Sequence, residues 1–379
     1  MNHLEELCNV ASVVSERLLP GIASRDAALA AAVERMSTVY TRDRDKMHST
    51  QGDKAALAAR LRFFLPRDTP KIWPILDDLA SRNHLSTSST WRVLDLGAGL
   101  GTTSLGLAMH PSASQLASNL RITAVESDRA CGPIHQALLE GLASSLPPTE
   151  LRTVITSLPR LPALLRRERF EFIVVGLCLN ELEIQTEGAA DWISGLVSML
   201  SDDGVLIIIE PALRETTRRL QEVRDELATR DGAKIIAPCL HARACPMLTN
   251  PRDWCHAELA QDLPLPLQGI AKEAGLRDHR LTFSYLCVGP NNPAPDSSHE
   301  EFRLVSSLLG SKGKVEAVAC GQSGYFRLMR LDRHCSKTNT ALDDLNRGQR
   351  FRTSASPDDK GRLRILSEDH VTPCYPIAD

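Results

Sequence analysis

The chain has 379 residues, enough for one large domain or two ordinary ones, and its 42% hydrophobic content can fill a substantial core. A net charge of -3 gives no global basic field, so any nucleic-acid surface must be local, and no DNA partner is expected. No apolar run reaches the roughly 18–20 residues that cross a bilayer, and the N-terminus, with Glu5, Glu6 and Glu16 and no Arg-rich leader, gives the expectation of a cytoplasmic protein without a membrane contact.

Residues 1 to 85 read as helical. Apolar positions recur at helix spacing in "ALAAAVERMSTVY" and "KAALAARLRFFL", with Pro66 and Pro70 as breakers. The period then changes. "RVLDL" (92–96), "RITAV" (121–125), "LRTVI" (151–155), "FEFIVV" (170–175) and "GVLIIIE" (204–210) are short apolar runs, each separated from the next by room for a helix. Apolar strands alternating with helices predict a doubly wound, Rossmann-like α/β sheet covered on both faces, from about 86 to 230.

A helix over "RETTRRLQEVRDELATR" leads into "APCLHARACPMLTNPRDWCH", residues 237–256, which interrupts the pattern. Further strands are expected at "HRLTFSYLCV", then at "KVEAVACG" and "GYFRLMRL" as a hairpin across "GQSG". From 334 to 379 the chain is polar without a sustained period, and a loosely packed or partly disordered tail is expected. Three regions result: helical 1–85, an α/β domain over 86–333 with an insertion at 237–260, and the tail 334–379.

The stretch "VLDLGAGLGTTSLGLA" places Asp95, Gly97, Gly99 and Gly101 directly after the first strand and at the opening of a helix. Glycine is needed where the backbone turns tightly and approaches a ligand. The D-x-G-x-G-x-G form resembles motif I of class I methyltransferases. A dehydrogenase loop would read G-x-G-x-x-G, and Leu100-Gly101-Thr102 breaks that spacing, so S-adenosylmethionine (SAM) is favoured over NAD. Glu126, ending the second strand, is placed to accept hydrogen bonds from ribose hydroxyls. Asn180 and Glu181, after the fourth strand, stand at the carboxyl end of the sheet, where they line the pocket or orient a substrate; a capping Asn followed by a helical Glu is the alternative. No D/N-P-P-Y/F motif occurs, so no catalytic residue can be named.

Ten cysteines in a reducing compartment point to thiols or metal ligands rather than disulfides. Cys239, Cys245 and Cys255 cluster in the proline-rich loop, without the C-x2-C spacing of a zinc ribbon. A fourth ligand must come from Cys287, on an apolar run, or Cys320, which ends its strand before a glycine turn; we favour Cys320. Four thiolates suit tetrahedral zinc or an iron-sulfur cluster.

These residues carry a resemblance. "IAPCLHARACPMLTNPRDWCH", with "DLGAGLG", "VVGLCLNEL", "IIIEPALRETTRRL", "FSYL" and "VEAVACGQSGYFRL", is similar to the Rsm-type methyltransferase-like family of the mitochondrial small ribosomal subunit and its bacterial relatives, over about residues 55 to 333. The resemblance implies a class I methyltransferase domain with a cysteine-rich insertion and a 4Fe-4S cluster on Cys239, Cys245, Cys255 and Cys320. His241 falls in the family's C-P-H-like position, but Leu240 replaces the usual proline and we do not count it as a ligand. The function so implied is assembly of the small ribosomal subunit in translation, with that subunit and its rRNA as partners. The alternative is an active SAM-dependent methyltransferase, acting on rRNA or another substrate, with a structural metal.

Basic residues outnumber acidic ones between Arg327 and Arg352: Arg327, Arg330, Arg333, Lys337, Arg347, Arg350 and Arg352 against Asp332, Asp343 and Asp344. They are a candidate phosphate-binding surface, as are Arg60, Arg62 and Arg67 in "RLRFFLPR". A solvated strand face in the first case, and helix-core packing of Phe63 and Phe64 in the second, are the alternatives.

Overall fold

A computed structural model describes residues 3–21, 26–43, 46, 49–276, 280–291 and 300–374. The N-terminal region is helical as expected: α1 (His3–Leu18), α2 (Asp26–Thr41), α3 (Lys54–Ala59), α4 (Leu65–Asp68) and α5 (Trp73–Ala80). Pro66 stands in the first turn of α4 and Pro70 in the 3-10 turn Thr69–Ile72, but the chain stays helical through both, so they accompany changes of helix type rather than the breaks expected from the sequence. Between α3 and α4, Arg60–Phe64 form a π turn.

The expected strands follow as β1 (Thr90–Leu96), β2 (Asn119–Glu126), β3 (Thr149–Ile155), β4 (Phe170–Gly176) and β5 (Leu200–Pro211). They pair in parallel in the order β3-β2-β1-β4-β5. Helices α6 (Thr102–Met109), α7 (Pro111–Leu116), α8 (Cys131–Gly141), α9 (Thr186–Val197) and α10 (Arg214–Ala228) lie between and after them. Successive strand residues point to opposite faces. Val93, Phe172, Val174 and Ile207 therefore feed one core, while Leu94, Ile173, Val175 and Ile208 feed the other. This two-sided burial is why the strands read as continuous apolar runs.

Beyond α10 come β6 (Lys234–Ala237), β7 (Ala257–Leu259), α11 (Leu265–Glu273) and β8 (Leu281–Gly289). β8 adds antiparallel to β5 and carries β6 and β7 on its far side, completing an eight-stranded sheet.

The C-terminal part departs from expectation. β9 (Glu301–Leu304), β10 (Leu309–Ser311), β11 (Lys314–Gly321), β12 (Tyr325–Leu331), β13 (Arg350–Thr353), β14 (Arg362–Ile365) and β15 (Val371–Pro373) form a second sheet, ordered β14-β12-β11-β9-β13-β15 with β10 on β11. The β11–β12 hairpin closes across Gln322–Gly324 as predicted, but it belongs to this sheet rather than to the central one. Residues 334–374, expected to be loose, supply three of its strands and bury Leu342, Phe351, Leu363, Ile365 and Val371 against Phe302, Phe326 and Leu328. Strands of three or four residues are too short to show a period, and their apolar partners lie far away in sequence. Residues 375–379 of the tail fall outside the described residues. Among the described residues no helix is long and apolar enough to cross a membrane.

One buried carboxylate joins the parts. Asp78 of α5 is fully buried and pairs with Arg303 of β9 (2.7 Å), Arg350 of β13 and Arg82 (3.2 Å). Burial alone would raise its pKa, but Arg303, Arg82 and Arg350 hold it well below the usual carboxylate range. Arg303 also donates to the carbonyls of Pro238 (2.6 Å) and Gly348, and Arg350 to Glu301 and Ser81. Removing one partner of a buried ion cluster leaves the other charges uncompensated. Asp78→Ala should therefore lower the unfolding free energy by about 3–5 kcal/mol, measured by urea denaturation; a loss below about 1 kcal/mol, the scale of an exposed pair, would show that the cluster does not hold the sheets together.

Candidate functional site

Two constellations stand out, one at the carboxyl edge of the central sheet and one in the loop between β6 and β7. At the first, Gly97, Gly99 and Gly101 all have positive φ (67°, 54° and 88°), a conformation that side chains disfavour. Space also requires glycine. A Cβ on Gly97 would stand 2.6 Å from the Cys178 sulfur, one on Gly99 2.8 Å from Arg60 Nη2, and one on Gly101 would collide with the His135 ring.

Glu126, at the end of β2, turns back onto this loop. Its carboxylate accepts N–H bonds from Gly99 (2.7 Å), Ser127 (2.8 Å) and Asp128 (2.9 Å). It braces the β1 and β2 ends together, with less of its capacity left for a ribose than the sequence suggested. Asp95, ending β1, is buried, and its Oδ2 has no hydrogen-bond partner. Burial pushes its pKa up to about 7 against the opposing effect of Ser104's hydrogen bonds.

After β4 the chain makes a strained turn. Leu177 adopts φ 62°, which is uncommon for a non-glycine residue. Asn180 lies in the 3-10 turn Leu179–Glu181, and its Nδ2 donates to the Leu177 carbonyl (3.3 Å). The N–H groups of Leu179 and Asn180 donate to Glu210 (3.0 and 3.2 Å). Glu210, buried at the end of β5, was not singled out in the sequence, where it reads as the polar end of an apolar strand. Burial pushes its pKa up to about 8, against the hydrogen bonds from Asn180 and Leu179. Asn180 thus organises the turn rather than capping an α-helix.

The cysteine loop is the second constellation. Cys239, Cys245, Cys255 and Cys320, with His241 and His256, line one pocket. Cys287, the other fourth-ligand candidate, is buried in β8 beside Asp78, Arg82 and Arg303 and is not among the cavity's lining residues. Cys320, ending β11, stands with its sulfur 3.5 Å from His241 Nε2. Burial first, and the neighbouring thiols next, push Cys245 up to about 12, and burial with Cys239 pushes Cys255 up to about 11. Among the described residues no three His, Cys, Asp or Glu side chains converge closely enough to hold one metal ion.

Almost none of this loop is in a sheet or helix, so its carbonyls need other donors. Arginines supply them. Arg218 of α10 donates to the carbonyls of Asn250 (2.9 Å), Asp253 (2.8 Å), Met247 (3.2 Å) and Leu248 (3.3 Å). Arg224, one helical turn and a half further on, donates to those of His241 and Arg243, while Asp225 accepts the Cys245 N–H (2.9 Å). Arg303 holds the Pro238 carbonyl and Arg347 the Trp254 carbonyl (3.0 Å). Trp254 stacks on His256, with ring centroids 5.9 Å apart.

The expected basic surface is mostly used inside the fold. Arg330 is buried on Asp343, Arg350 is buried on Asp78 and Glu301, Arg352 pairs with Glu301, and Arg347 serves the cysteine loop. Arg327, Arg333 and Lys337 remain exposed, joined by Arg364 on β14. In the N-terminal run, Phe63 and Phe64 are buried in the helical core, as the packing alternative held.

A parallel β3-β2-β1-β4-β5 sheet extended by antiparallel β8, with the glycine loop after β1, gives the chain the class I SAM-dependent methyltransferase fold expected from the sequence. The sequence profile of the family described as "Mitochondrial small ribosomal subunit Rsm22" matches residues 73–352. No curated protein sequence matches the chain closely enough to count as a relative. Among solved structures it is similar to the plantazolicin methyltransferase BpumL in complex with SAH (12% identity, 76% of this chain and 99% of that one, TM-score 0.37). Others are the magnesium protoporphyrin IX methyltransferase ChlM from Synechocystis PCC 6803 with bound SAM (14%, 68% and 96%, 0.34) and the ribosomal protein L11 methylase from Lactobacillus delbrueckii subsp. bulgaricus (15%, 57% and 79%, 0.31).

Asp95 and Glu210 set a pH dependence. Both carboxyls have raised pKa values in the fold, about 7 and about 8. Their contribution to stability is therefore full below the unfolded carboxyl range, roughly pH 4, and is lost as pH rises through the folded values. The melting temperature should fall between about pH 4 and about pH 8, and Asp95→Asn should remove the part of that fall that ends near pH 7. Parallel wild-type and variant profiles in thermal melts would assign the dependence elsewhere.

Proposed function

The chain belongs to the Rsm22 family of the mitochondrial small ribosomal subunit, and from that premise we propose that it is a SAM-binding, 4Fe-4S-containing protein of small-subunit assembly. The observation that carries the cluster is the gathering of Cys239, Cys245, Cys255 and Cys320 around one cavity. Arg224 and Arg303 also line it, and Arg303 and Arg347 act on Cys255 so as to favour its thiolate. Four thiolates in a largely buried site carry a charge that needs such neighbours.

A single zinc with Zn–S bonds of about 2.3 Å would draw its sulfurs to within about 4 Å of one another. A cluster holds its thiolates farther apart, on separate irons. Its role in this reading is structural or redox-sensing, tying the loop at 239–255 to β11.

For SAM, the fit rests on three backbone positions that exclude side chains and on the unpartnered Oδ2 of Asp95, an acceptor suited to the ammonium of an amino acid. Asp95, Gly97, Gly99, Gly101, Glu126 and Asn180 would hold it. When bound, SAM supplies an electrophilic methyl group on a sulfonium. Asn180 and Glu210 bond within the β4–β5 edge, which supports a binding role more than proton transfer. The second reading, an active methyltransferase on rRNA with a structural metal, is favoured by the intact glycine loop. The partner in both is the small subunit and its rRNA, met in the cytoplasm, with Arg327, Arg333, Lys337 and Arg364 as the exposed phosphate contacts.

Anaerobic purification followed by iron, sulfide and zinc analysis tests the cluster. About four irons and four sulfides per chain, with a broad absorption band near roughly 400 nm, are expected. Cys320→Ser should lose them and Cys287→Ser should keep them. One zinc without sulfide, or full iron retention in Cys320→Ser, would overturn this reading.

A further inference from the structure

Arg60 stands apart from every other charged residue near the glycine loop. It opens the π turn Arg60–Phe64, an irregularity that occurs preferentially at functional sites. The turn is anchored by its aromatics, with Phe64 edge-on to Tyr40 (centroids 5.0 Å apart) and to Phe63 (5.2 Å). From this anchor the Arg60 side chain reaches Gly99, with Nη2 only 2.8 Å from where a Cβ would sit.

Its surroundings keep it charged. Burial works against the guanidinium's charge, but Tyr40, Cys131, Glu126 and Asp128 outweigh that and raise its pKa. Of these only Glu126 and Asp128 are anions at neutral pH, and Glu126 is already engaged by three backbone N–H groups. Asp128 is engaged as well, accepting from Gly52 (3.1 Å) and Ala130 (3.0 Å). No ion pair among the described residues closes on Arg60, whereas the neighbouring Arg67 and Lys71 both pair with Asp68. Among the described residues this half-buried guanidinium has no ion pair, and it stands directly against Gly99 of the loop.

We infer that Arg60 binds the carboxylate of the donor's amino-acid portion, so that the N-terminal helical region completes the cofactor site; this rests on the SAM reading above. Charge selects the group. The sulfonium and ammonium of SAM are cationic, its adenine is neutral, and the carboxylate alone attracts a guanidinium, whose planar fork matches it. Asp95, with its unpartnered oxygen at the end of β1, takes the ammonium. The two residues read an amino-acid zwitterion between them. The same N-terminal segment also reaches the end of β2, where Gln51 Nε2 donates to Ser127 Oγ (2.9 Å).

Calorimetric titration of the full chain with two probes tests this. S-adenosylhomocysteine carries the amino-acid portion, and 5′-methylthioadenosine lacks it. Arg60→Ala should weaken S-adenosylhomocysteine by about 10- to 100-fold, the scale of a charged hydrogen bond, and leave methylthioadenosine unchanged. Arg60→Lys, which keeps the charge without the fork, should recover part of the loss. Equal weakening of both probes would make Arg60 a structural brace, and unchanged S-adenosylhomocysteine affinity would remove it from the site. A wild-type chain that binds neither probe would overturn the SAM reading and this inference with it.

Discussion

A carboxylate sealed from water is tolerable only when cations replace its hydration, and Asp78 meets that condition with three arginines. The rest of the architecture follows from where those arginines come from. One is a neighbour on the same helical segment, while the other two belong to β9 and β13 of the second sheet. The guanidinium of Arg303 then reaches onward to Pro238, the residue before the first cysteine of the loop. A single buried charge thereby fixes three distant parts of the chain against one another. Hydrophobic contacts are non-directional and could not set that geometry alone.

The same residue type recurs at the cysteine loop for a related reason. A segment outside sheet and helix has carbonyls with no backbone donors, and Arg218 and Arg224 of α10 satisfy six of them. α10 follows directly from the end of β5, where Glu210 holds the turn after β4. The two constellations are therefore mechanically continuous. The carboxyl edge of the central sheet, the helix and the loop share one run of chain, and a displacement of β5's end moves the arginines on which the loop hangs.

Much of this was legible in the sequence. The five parallel strands announced themselves because both of their faces are buried, which leaves no polar alternation to confuse with a surface strand. The glycine loop was legible because its backbone conformation admits almost nothing else, and the place of Cys320 at the end of its strand because a glycine turn follows it. What stayed hidden is long-range. Asp78 sits in "LDDLASR", which reads as the wet side of a helix until the two distant arginines are placed. Arg330 and Arg350 read as a basic surface for the same reason, since pairing with Asp343 or Asp78 depends on the fold. The short strands β13 to β15 carry too few residues for a period, and their core is lent by Phe302, Phe326 and Leu328. Arg60 looked like one of several arginines beside phenylalanines, and only its approach to Gly99 in the fold separates it from Arg62 and Arg67.

The distances along the chain within the Asp78 cluster have a bearing on how the protein is made. Arg303 and Arg350 lie 225 and 272 residues beyond Asp78. On a translating ribosome the α/β sheet up to β5 can be complete while both arginines are still unsynthesised. The cysteine loop emerges next, before Cys320 and before the guanidiniums that hold its first and last carbonyls. Its cavity therefore closes only after Arg347 and Arg350 have left the exit tunnel, and a product truncated before Cys320 carries the first three thiols with neither the fourth nor the scaffold around them.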